Sequence, residues 1–210
     1  LYSDLEMPDF KEKYIVAVDV ATENLLGDLK EQYGGKINLC IDHHGTNDEY
    51  SEYLLLNADA AAACEVILKV IKAMNVDIDR GIADCLFTGI TTDTGCFRYS
   101  STTSNTFRAA AELIDYGANN GAINRLMFET KTKTYAALER LCIEGMQFFE
   151  KEKICVITVT QDMYEKTGSG EFESEGIAPL TRQIEGVEIG LTIREKADKT
   201  CKCSIRTYES

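Results

Sequence analysis

The residues best suited to chemistry are Asp42, His43 and His44, which stand side by side in the segment IDHHGT, residues 41–46. The chain has 210 residues, and these two histidines are the only ones it contains. Carboxylate oxygens and neutral imidazole nitrogens suit divalent ions such as Mn²⁺, Mg²⁺ and Zn²⁺. In the structural alternative, Asp42 caps a turn and the histidines bond to backbone. The triplet alone does not distinguish a metal site from a structural role, so the elements around it must be considered.

A predicted strand, helix and strand surround these residues. The apolar, β-branched run KYIVAVDV, residues 13–20, predicts a buried parallel strand that carries Asp19 near its C-terminal end. A helix is expected over 22–35, and KINLCIDHHG predicts a second buried strand that ends at the histidines. A right-handed βαβ crossover places both carboxyl ends at one edge of the sheet, where open α/β sheets bind ligands. We therefore expect Asp19 and His43 to be neighbours.

A third candidate metal ligand, Asp93, lies far from the first two in sequence. Apolar residues at helical spacing predict a helix over 60–74 and another that begins near residue 79. The stretch TTDTGCFRYSSTT, residues 91–103, is too polar for a core and predicts a loop containing Asp93. Such loops at the strand ends supply ligands that are distant in sequence. We expect Asp93 to join Asp19 and His43.

The pattern of elements predicts an α/β fold. Residues 1–118 read as a parallel-sheet domain with flanking helices, and helical spacing continues through a linker over 119–150. Residues 151–210 contain several short β-branched runs and predict a smaller, strand-rich unit.

Composition excludes several classes of function. A net charge of -13 excludes a broad basic surface for long nucleic acid, because affinity for a phosphate backbone comes from clustered Lys and Arg. No apolar run reaches the roughly 20 residues that a membrane-spanning helix needs. The start, LYSDLEMPDF, lacks the basic and apolar pattern of a secretion signal, so a cytoplasmic location is expected. The oligomeric state stays open, with a homodimer among the options.

Several segments together resemble one known family, the DHH/DHHA1 phosphoesterases, and its nanoRNase and phosphoadenosine-phosphate phosphatase subgroup in particular. They are VDVA at 18–21, IDHHGTN at 41–47, the stretch from TGITTDTG to IDYGA at 88–118, and KCSIRT at 202–207. The resemblance implies a DHH domain followed by an incomplete α+β DHHA1-like domain. It also implies hydrolysis of short oligoribonucleotides, dinucleotides or phosphoadenosine phosphate with two Mn²⁺ ions, or with Mg²⁺.

The resemblance also implies roles for individual residues of the triplet and its neighbours. Asp19 matches the aspartate that bridges both metals, His43 a ligand of one metal, and Asp93 a ligand of the other. Two residues are the catalytic candidates. Asp42 matches a residue that orients a neighbouring imidazole, and His44 a histidine that faces the substrate phosphate or leaving group.

Three further residues are candidates for substrate binding. Arg98 lies in a motif-rich segment, and a guanidinium suits bidentate phosphate binding, although a surface cation is the plainer alternative. Ser204 and Arg206 match the family's Ser-x-Arg strand, which implies contact with a nucleotide phosphate or terminal base. Strand alternation puts these two on one face and turns Cys203 and Ile205 toward the core. The alternative is an exposed edge strand.

Two motifs of the family have no match in this sequence. The opening His-x-x-x-Asp-x-Asp and the closing Gly-Gly-Gly-His are absent. We therefore expect the sequence to be clipped at both ends and, by itself, to hydrolyse little or nothing. Two other functions stay open: hydrolysis of pyrophosphate or polyphosphate on the same scaffold, and a non-catalytic nucleotide-binding module.

Overall fold

The structure of the protein is a computed structural model that describes residues 12–207. The segment considered above for a secretion signal lies outside these residues. The chain divides into two compact units, Leu1–Glu129 and Thr130–Ser210. Within the described part, no helix is both long enough and apolar enough to cross a membrane.

The first unit is built on a three-stranded, fully parallel sheet. Its strands are β1 (Val16–Val18), β2 (Leu39–Asp42) and β3 (Tyr53–Leu56), in the spatial order β1-β2-β3. Ala17 lies opposite Cys40 in the parallel pair of β1 and β2. This pairing confirms the predicted βαβ arrangement, which places the ends of β1 and β2 at the same edge.

The connection from β1 to β2 contains two short helices where one was predicted. They are a 3-10 helix, Glu23–Leu26, and α1 (Leu29–Tyr33). Gly27 separates them with a φ of 58°, a conformation that a right-handed helix cannot include.

Helices that carry the main core of the first unit follow β3. They are α2 (Ala63–Ala73), α3 (Arg80–Asp93), α4 (Ser104–Asp115) and α5 (Asn120–Asn124), after which a π-helical turn, Arg125–Glu129, continues the chain. Phe87 and Ile90 of α3 pack with Leu113 of α4 in the largest apolar cluster. The polar loop between these helices ends at Thr103, whose side chain accepts from two backbone amides and forms the N-terminal cap of α4.

The second unit is built on a mixed four-stranded sheet. Its strands are β4 (Gln147–Phe149), β5 (Ile154–Val159), β6 (Ile189–Glu195) and β7 (Cys201–Thr207), in that spatial order. The β5 and β6 strands are parallel, and the two outer pairs are antiparallel. The helices are α6 (Lys133–Glu144), α7 (Gln161–Thr167) and a 3-10 helix, Glu171–Gln183. Leu138 of α6 and Ile157 of β5 are fully buried in the core.

These units differ from the predicted division at residues 118 and 150. The helical stretch 119–150 is not one separate linker: α5 belongs to the first unit, whereas α6 packs into the core of the second. Phe148 and Phe149 form β4 and pair with β5, so the sheet begins before residue 151. The helical spacing was real, but it could not show that tertiary contacts divide the segment.

The predicted orientation of β7 is wrong for Cys203 and Ile205. Both are exposed, Ile205 by 63%, because β7 is the last strand of the sheet and no described element covers that face of it. The alternation itself is correct: Ser204 lies opposite Thr192 of β6, and Arg206 lies opposite Gly190. The alternative interpretation, an edge strand, describes this segment.

A close contact between α2 and α3 depends on Gly89. A β carbon at this position would lie 2.2 Å from the Cys64 sulfur. We expect Gly89→Ala to lower the free energy of unfolding by about 1–3 kcal/mol, the usual cost of overpacking. Urea unfolding measures this, and the double variant Gly89→Ala with Cys64→Ala should recover most of the loss.

The control is Gly121→Ala in α5, where the added β carbon meets only an Asn119 oxygen at 4.0 Å. Alanine is the better helix former, so this variant should be neutral or slightly stabilising. Equal stability of the Gly89→Ala and Gly121→Ala proteins would contradict the packing argument.

Candidate metal centre

Asp19 reaches the candidate site because the backbone turns sharply directly after β1. Its φ is 62°, in the left-handed region that aspartate tolerates better than most residues. The Asp19 amide donates to the Ile41 carbonyl at 2.9 Å, which ties this turn to the end of β2. The carboxylate then lies 3.3 Å from the His43 Nε2, which confirms the predicted proximity of these two residues.

The Asp42 carboxylate is fully buried and holds the turn after β2. Its Oδ1 accepts bonds from the His43 amide at 2.8 Å, the His44 amide at 3.3 Å and the His44 Nδ1 at 2.8 Å. Its Oδ2 accepts from the Asn47 side chain at 2.6 Å. Burial acts against ionisation, but these hydrogen bonds outweigh it and hold the pKa of Asp42 below its ordinary value. Asp42 is therefore a buried anion that orients its neighbours.

The tautomer of His43 follows from its contacts. Its Nδ1 lies 3.1 Å from the Ala60 carbonyl oxygen, and because a carbonyl only accepts, Nδ1 carries the proton. The other nitrogen, Nε2, then presents a lone pair. It faces the Asp19 Oδ1 at 3.3 Å and the Asp93 Oδ2 at 3.6 Å. A histidine with Nδ1 fixed by a carbonyl and Nε2 turned toward carboxylates has the arrangement found in metal-ligating histidines.

Asp93 is the last residue of α3 and does not lie in the predicted loop. The helix continues through the polar segment, where Thr92 and Thr94 donate their hydroxyls to carbonyls one turn earlier, at 3.0 Å and 2.7 Å. Burial raises the pKa of Asp93 above its ordinary value, and the negative charge of Asp19 raises it further. The site thus holds two carboxylates that repel each other.

A left-handed turn follows Asp93. Gly95, Cys96 and Phe97 have φ values of 56°, 59° and 62°. Thr94 stabilises the turn: its carbonyl accepts from the Arg98 amide at 2.9 Å, and its hydroxyl accepts from the Phe97 amide at 3.0 Å. The Arg98 side chain folds back on this turn and donates from Nε to the Gly95 carbonyl at 2.5 Å.

His44 differs from His43 in how it is held. Its Nδ1 donates a hydrogen bond to the Asp42 carboxylate. The ring is tilted by 55° against the His43 ring, at 4.4 Å between centroids. Its side chain is 43% exposed, against 16% for His43. Across residues 12–207 no hydrogen bond engages the His44 Nε2, which remains as the acceptor nitrogen. This arrangement presents a lone pair to an incoming group.

The donor set of Asp19, His43 and Asp93 fits a divalent cation. The separations of 3.3 Å and 3.6 Å are those of neighbouring ligands when each lies about 2.0–2.2 Å from one ion. The possible ligand atoms of Asp19, Asp42, His43 and His44 all lie within 4.8 Å of one another, but both Asp42 oxygens already accept hydrogen bonds. Asp93 lies outside this group of four and adjoins it through its contact with the His43 Nε2. Within residues 12–207 the ion-pair partners of Asp19 and Asp93 are histidines alone, so excess negative charge favours a cation.

The predicted substrate-binding residues lie in different parts of the chain. Arg98 belongs to the turn after α3 in the first unit. Ser204 and Arg206 belong to β7 in the second unit. The Ser204 hydroxyl accepts from Arg194 at 3.3 Å, and Arg206 is exposed, with Nη1 donating to the Ile205 carbonyl at 3.2 Å. Their roles stay predictions.

Residues 4–90 match the model of the DHH family, N-terminal domain. Over this range the chain is similar to the N-terminal domain of the DHH family. The matched range includes Asp19 and the Asp-His-His triplet, and ends before Asp93.

Similar proteins of named activity extend beyond the matched range. The chain is 32% identical over 168 residues to the bifunctional oligoribonuclease and PAP phosphatase NrnA of Thermus thermophilus, covering 80% of the chain and 49% of that protein. It is 24% identical over 204 residues to the protein of the same name from Bacillus subtilis, covering 95% and 64%. The chain thus spans about half to two thirds of the length of these relatives.

A solved structure shares the fold of this chain. It is an exopolyphosphatase-related protein from Bacteroides fragilis, with a TM-score of 0.86 and 21% identity, covering 94% of this chain and 59% of that one. At this identity the similarity establishes the α/β fold alone.

Sequence reasoning missed two supports of the DHH triplet. The Ala60 carbonyl that fixes the His43 tautomer is a backbone group, and no residue pattern reveals it. The Asn47 side chain that bonds Asp42 had a signal, since Asn47 closes the segment IDHHGTN.

The repulsion between the Asp19 and Asp93 carboxylates should destabilise the folded protein when no metal is bound. In EDTA at neutral pH, Asp93→Asn should raise the free energy of unfolding, because it removes a charge whose ionisation the fold disfavours. Because the pKa of Asp93 is raised in the folded state, the ionised carboxylate destabilises the folded wild type above that pKa. This destabilisation disappears near pH 3, below the ordinary aspartate pKa of about 3.9. Urea unfolding at both pH values measures this.

With Mn²⁺ added, the wild type should become more stable than the Asp93→Asn protein, since a ligand stabilises only the protein that binds it. Asp77→Asn, at an exposed position, is the control and should change little under any condition. Loss of stability in the Asp93→Asn protein in EDTA would contradict the repulsion argument. Full stabilisation of that variant by Mn²⁺ would show that Asp93 is not a ligand.

Proposed function

We propose that the protein is a Mn²⁺-dependent phosphoesterase that hydrolyses short oligoribonucleotides, dinucleotides or phosphoadenosine phosphate. The observation that carries this proposal is the meeting of Asp19, the His43 Nε2 and Asp93 at one end of the parallel sheet. Among residues 12–207, no Lys or Arg forms an ion pair with either carboxylate. The names of the Thermus and Bacillus relatives support the choice of substrate.

The proposed chemistry assigns each residue one task. Asp19, His43 and Asp93 would hold metal, which lowers the pKa of a coordinated water and neutralises charge on the phosphate. Asp42 keeps the proton of the His44 imidazole on Nδ1, so that Nε2 faces outward as an acceptor. His44 would bind the protonated phosphate or, once itself protonated, donate to the leaving-group oxygen.

Charge favours a small substrate. The chain carries a net charge of -13, and a long polyanion would be repelled over most of its length. A short substrate needs neutralisation only where it binds. Under this proposal Arg98, Ser204 and Arg206 provide local contacts to a phosphate or a terminal base.

The direct test uses the natural full-length protein and a dinucleotide RNA. With Mn²⁺ present we expect release of mononucleotides, measured by chromatography, and no release in EDTA. Phosphoadenosine phosphate, pyrophosphate and polyphosphate are tested in parallel. If only pyrophosphate or polyphosphate is cleaved, the substrate assignment is wrong. If nothing is cleaved, the chain is a binding module and the proposed activity is lost.

The two histidines should separate in their effects. In the same full-length protein, His43→Ala should weaken Mn²⁺ binding by at least about tenfold to a hundredfold, because it removes a ligand. His44→Ala should leave the metal content unchanged and lower kcat by about 10²–10⁴, the usual effect of losing a proton-transfer group. Metal analysis and steady-state kinetics measure the two effects. Equal metal loss in both variants would refute the division.

A further inference from the structure

The second unit contains a cavity that the proposed chemistry does not use. It has a volume of about 260 Å³ and lies beside the end of β6 and the start of the 3-10 helix Glu171–Gln183. Arg194, Lys202, Glu175 and Phe172 are among its lining residues. Small-molecule sites have this character, a concave surface with a few polar groups directed into it.

Arg194 is the feature of this cavity that indicates a ligand. Its side chain is buried, with 7% of the residue exposed. Among residues 12–207 its one hydrogen-bond partner is the Ser204 hydroxyl at 3.3 Å, and it forms no ion pair with a carboxylate. Its Nε is buried without a partner. A buried guanidinium is stable at low cost only when an anion compensates its charge.

The glutamates near the cavity are engaged elsewhere. Glu171 accepts from the Ala197 amide at 2.9 Å, and Glu195 accepts from the Gln161 amide at 2.8 Å. Each carboxylate is thus held by a backbone amide, and neither lies in an ion pair with Arg194. The cationic wall of the cavity therefore remains available to an external anion.

Lys202 adds a second cation to this wall. It lies opposite Arg194 in the antiparallel pair of β6 and β7, so both side chains project from the same face of the sheet. Its ammonium is 3.5 Å from a Glu175 oxygen, a long contact between exposed groups that contributes little and exchanges readily. A phosphate dianion could bind the planar guanidinium and this ammonium together.

An aromatic ring lies at the same cavity. Phe172 is 81% exposed, which is unusual for a large apolar side chain. The ring is packed over Gly170: a β carbon there would lie 2.5 Å from a ring carbon. A ring fixed in this way offers an open face on which a nucleobase can stack.

We propose that this cavity binds a nucleoside monophosphate, with the phosphate on Arg194 and Lys202 and the base against Phe172. The phosphate part rests on the unpaired guanidinium. The choice of a nucleotide over phosphate alone rests on Phe172 and on the proposed function. Binding at this cavity requires none of the metal-site residues, so it can be measured in EDTA.

Calorimetry of the protein in EDTA with AMP, inorganic phosphate and adenosine tests the proposal. AMP should bind, with phosphate weaker and adenosine weakest. Arg194→Met should raise the Kd for AMP by roughly tenfold or more, since it removes a charge-assisted contact. Without ligand its Tm should not fall, because methionine replaces a buried unpaired charge with an apolar chain of similar length. Arg140→Met, at an exposed site on α6, should bind as the wild type does.

Phe172→Ala separates the two halves of the ligand. It should weaken AMP binding several-fold and leave phosphate binding unchanged. Absence of AMP binding, unchanged AMP binding in Arg194→Met, or a lower Tm of that variant would each overturn the proposal. AMP binding in EDTA by a protein that cleaves no dinucleotide would refute the proposed function alone.

Discussion

The buried carboxylate of Asp42 is the interaction on which the site depends. A fully buried anion at the end of a strand must be surrounded by donors, and the chain supplies them within the next five residues, from two backbone amides, the His44 ring and Asn47. This requirement fixes the turn 43–47. Because the turn is fixed, the two imidazoles leave the strand in set directions, one toward the carboxylates and one toward solvent.

The parallel sheet explains why Asp19 and His43 could be placed together from sequence. Neighbouring parallel strands end at the same edge, so a residue after β1 and a residue after β2 must be close, whatever the connection between them contains. The connection here is two short helices where a continuous one was expected, and the prediction was not affected. The family resemblance also implied that Asp42 orients a neighbouring imidazole, and in the structure the His44 Nδ1 lies 2.8 Å from the Asp42 Oδ1.

Other features depend on contacts that have no local pattern. Threonine is a poor helix former, and its run before Asp93 therefore indicated a loop, but the helix extends to Asp93, with the threonine hydroxyls bonded to carbonyls one turn earlier. Alternation correctly paired Ser204 with Arg206, yet it could not show which face of β7 is covered. The Arg194 cavity gave no signal at all, since a single arginine in a strand reads as a surface cation until its burial is known.

The left-handed turn after Asp93 constrains how this region can diverge in evolution. Two consecutive residues other than glycine, Cys96 and Phe97, adopt a conformation that costs L-residues about 1–2 kcal/mol each. Glycine or asparagine at position 96 would adopt it more easily, whereas valine or isoleucine would be excluded. Insertions are also unfavourable, because one extra residue would separate Thr94 from the amides that it binds. Homologous chains should therefore keep the length of this segment even where its side chains vary.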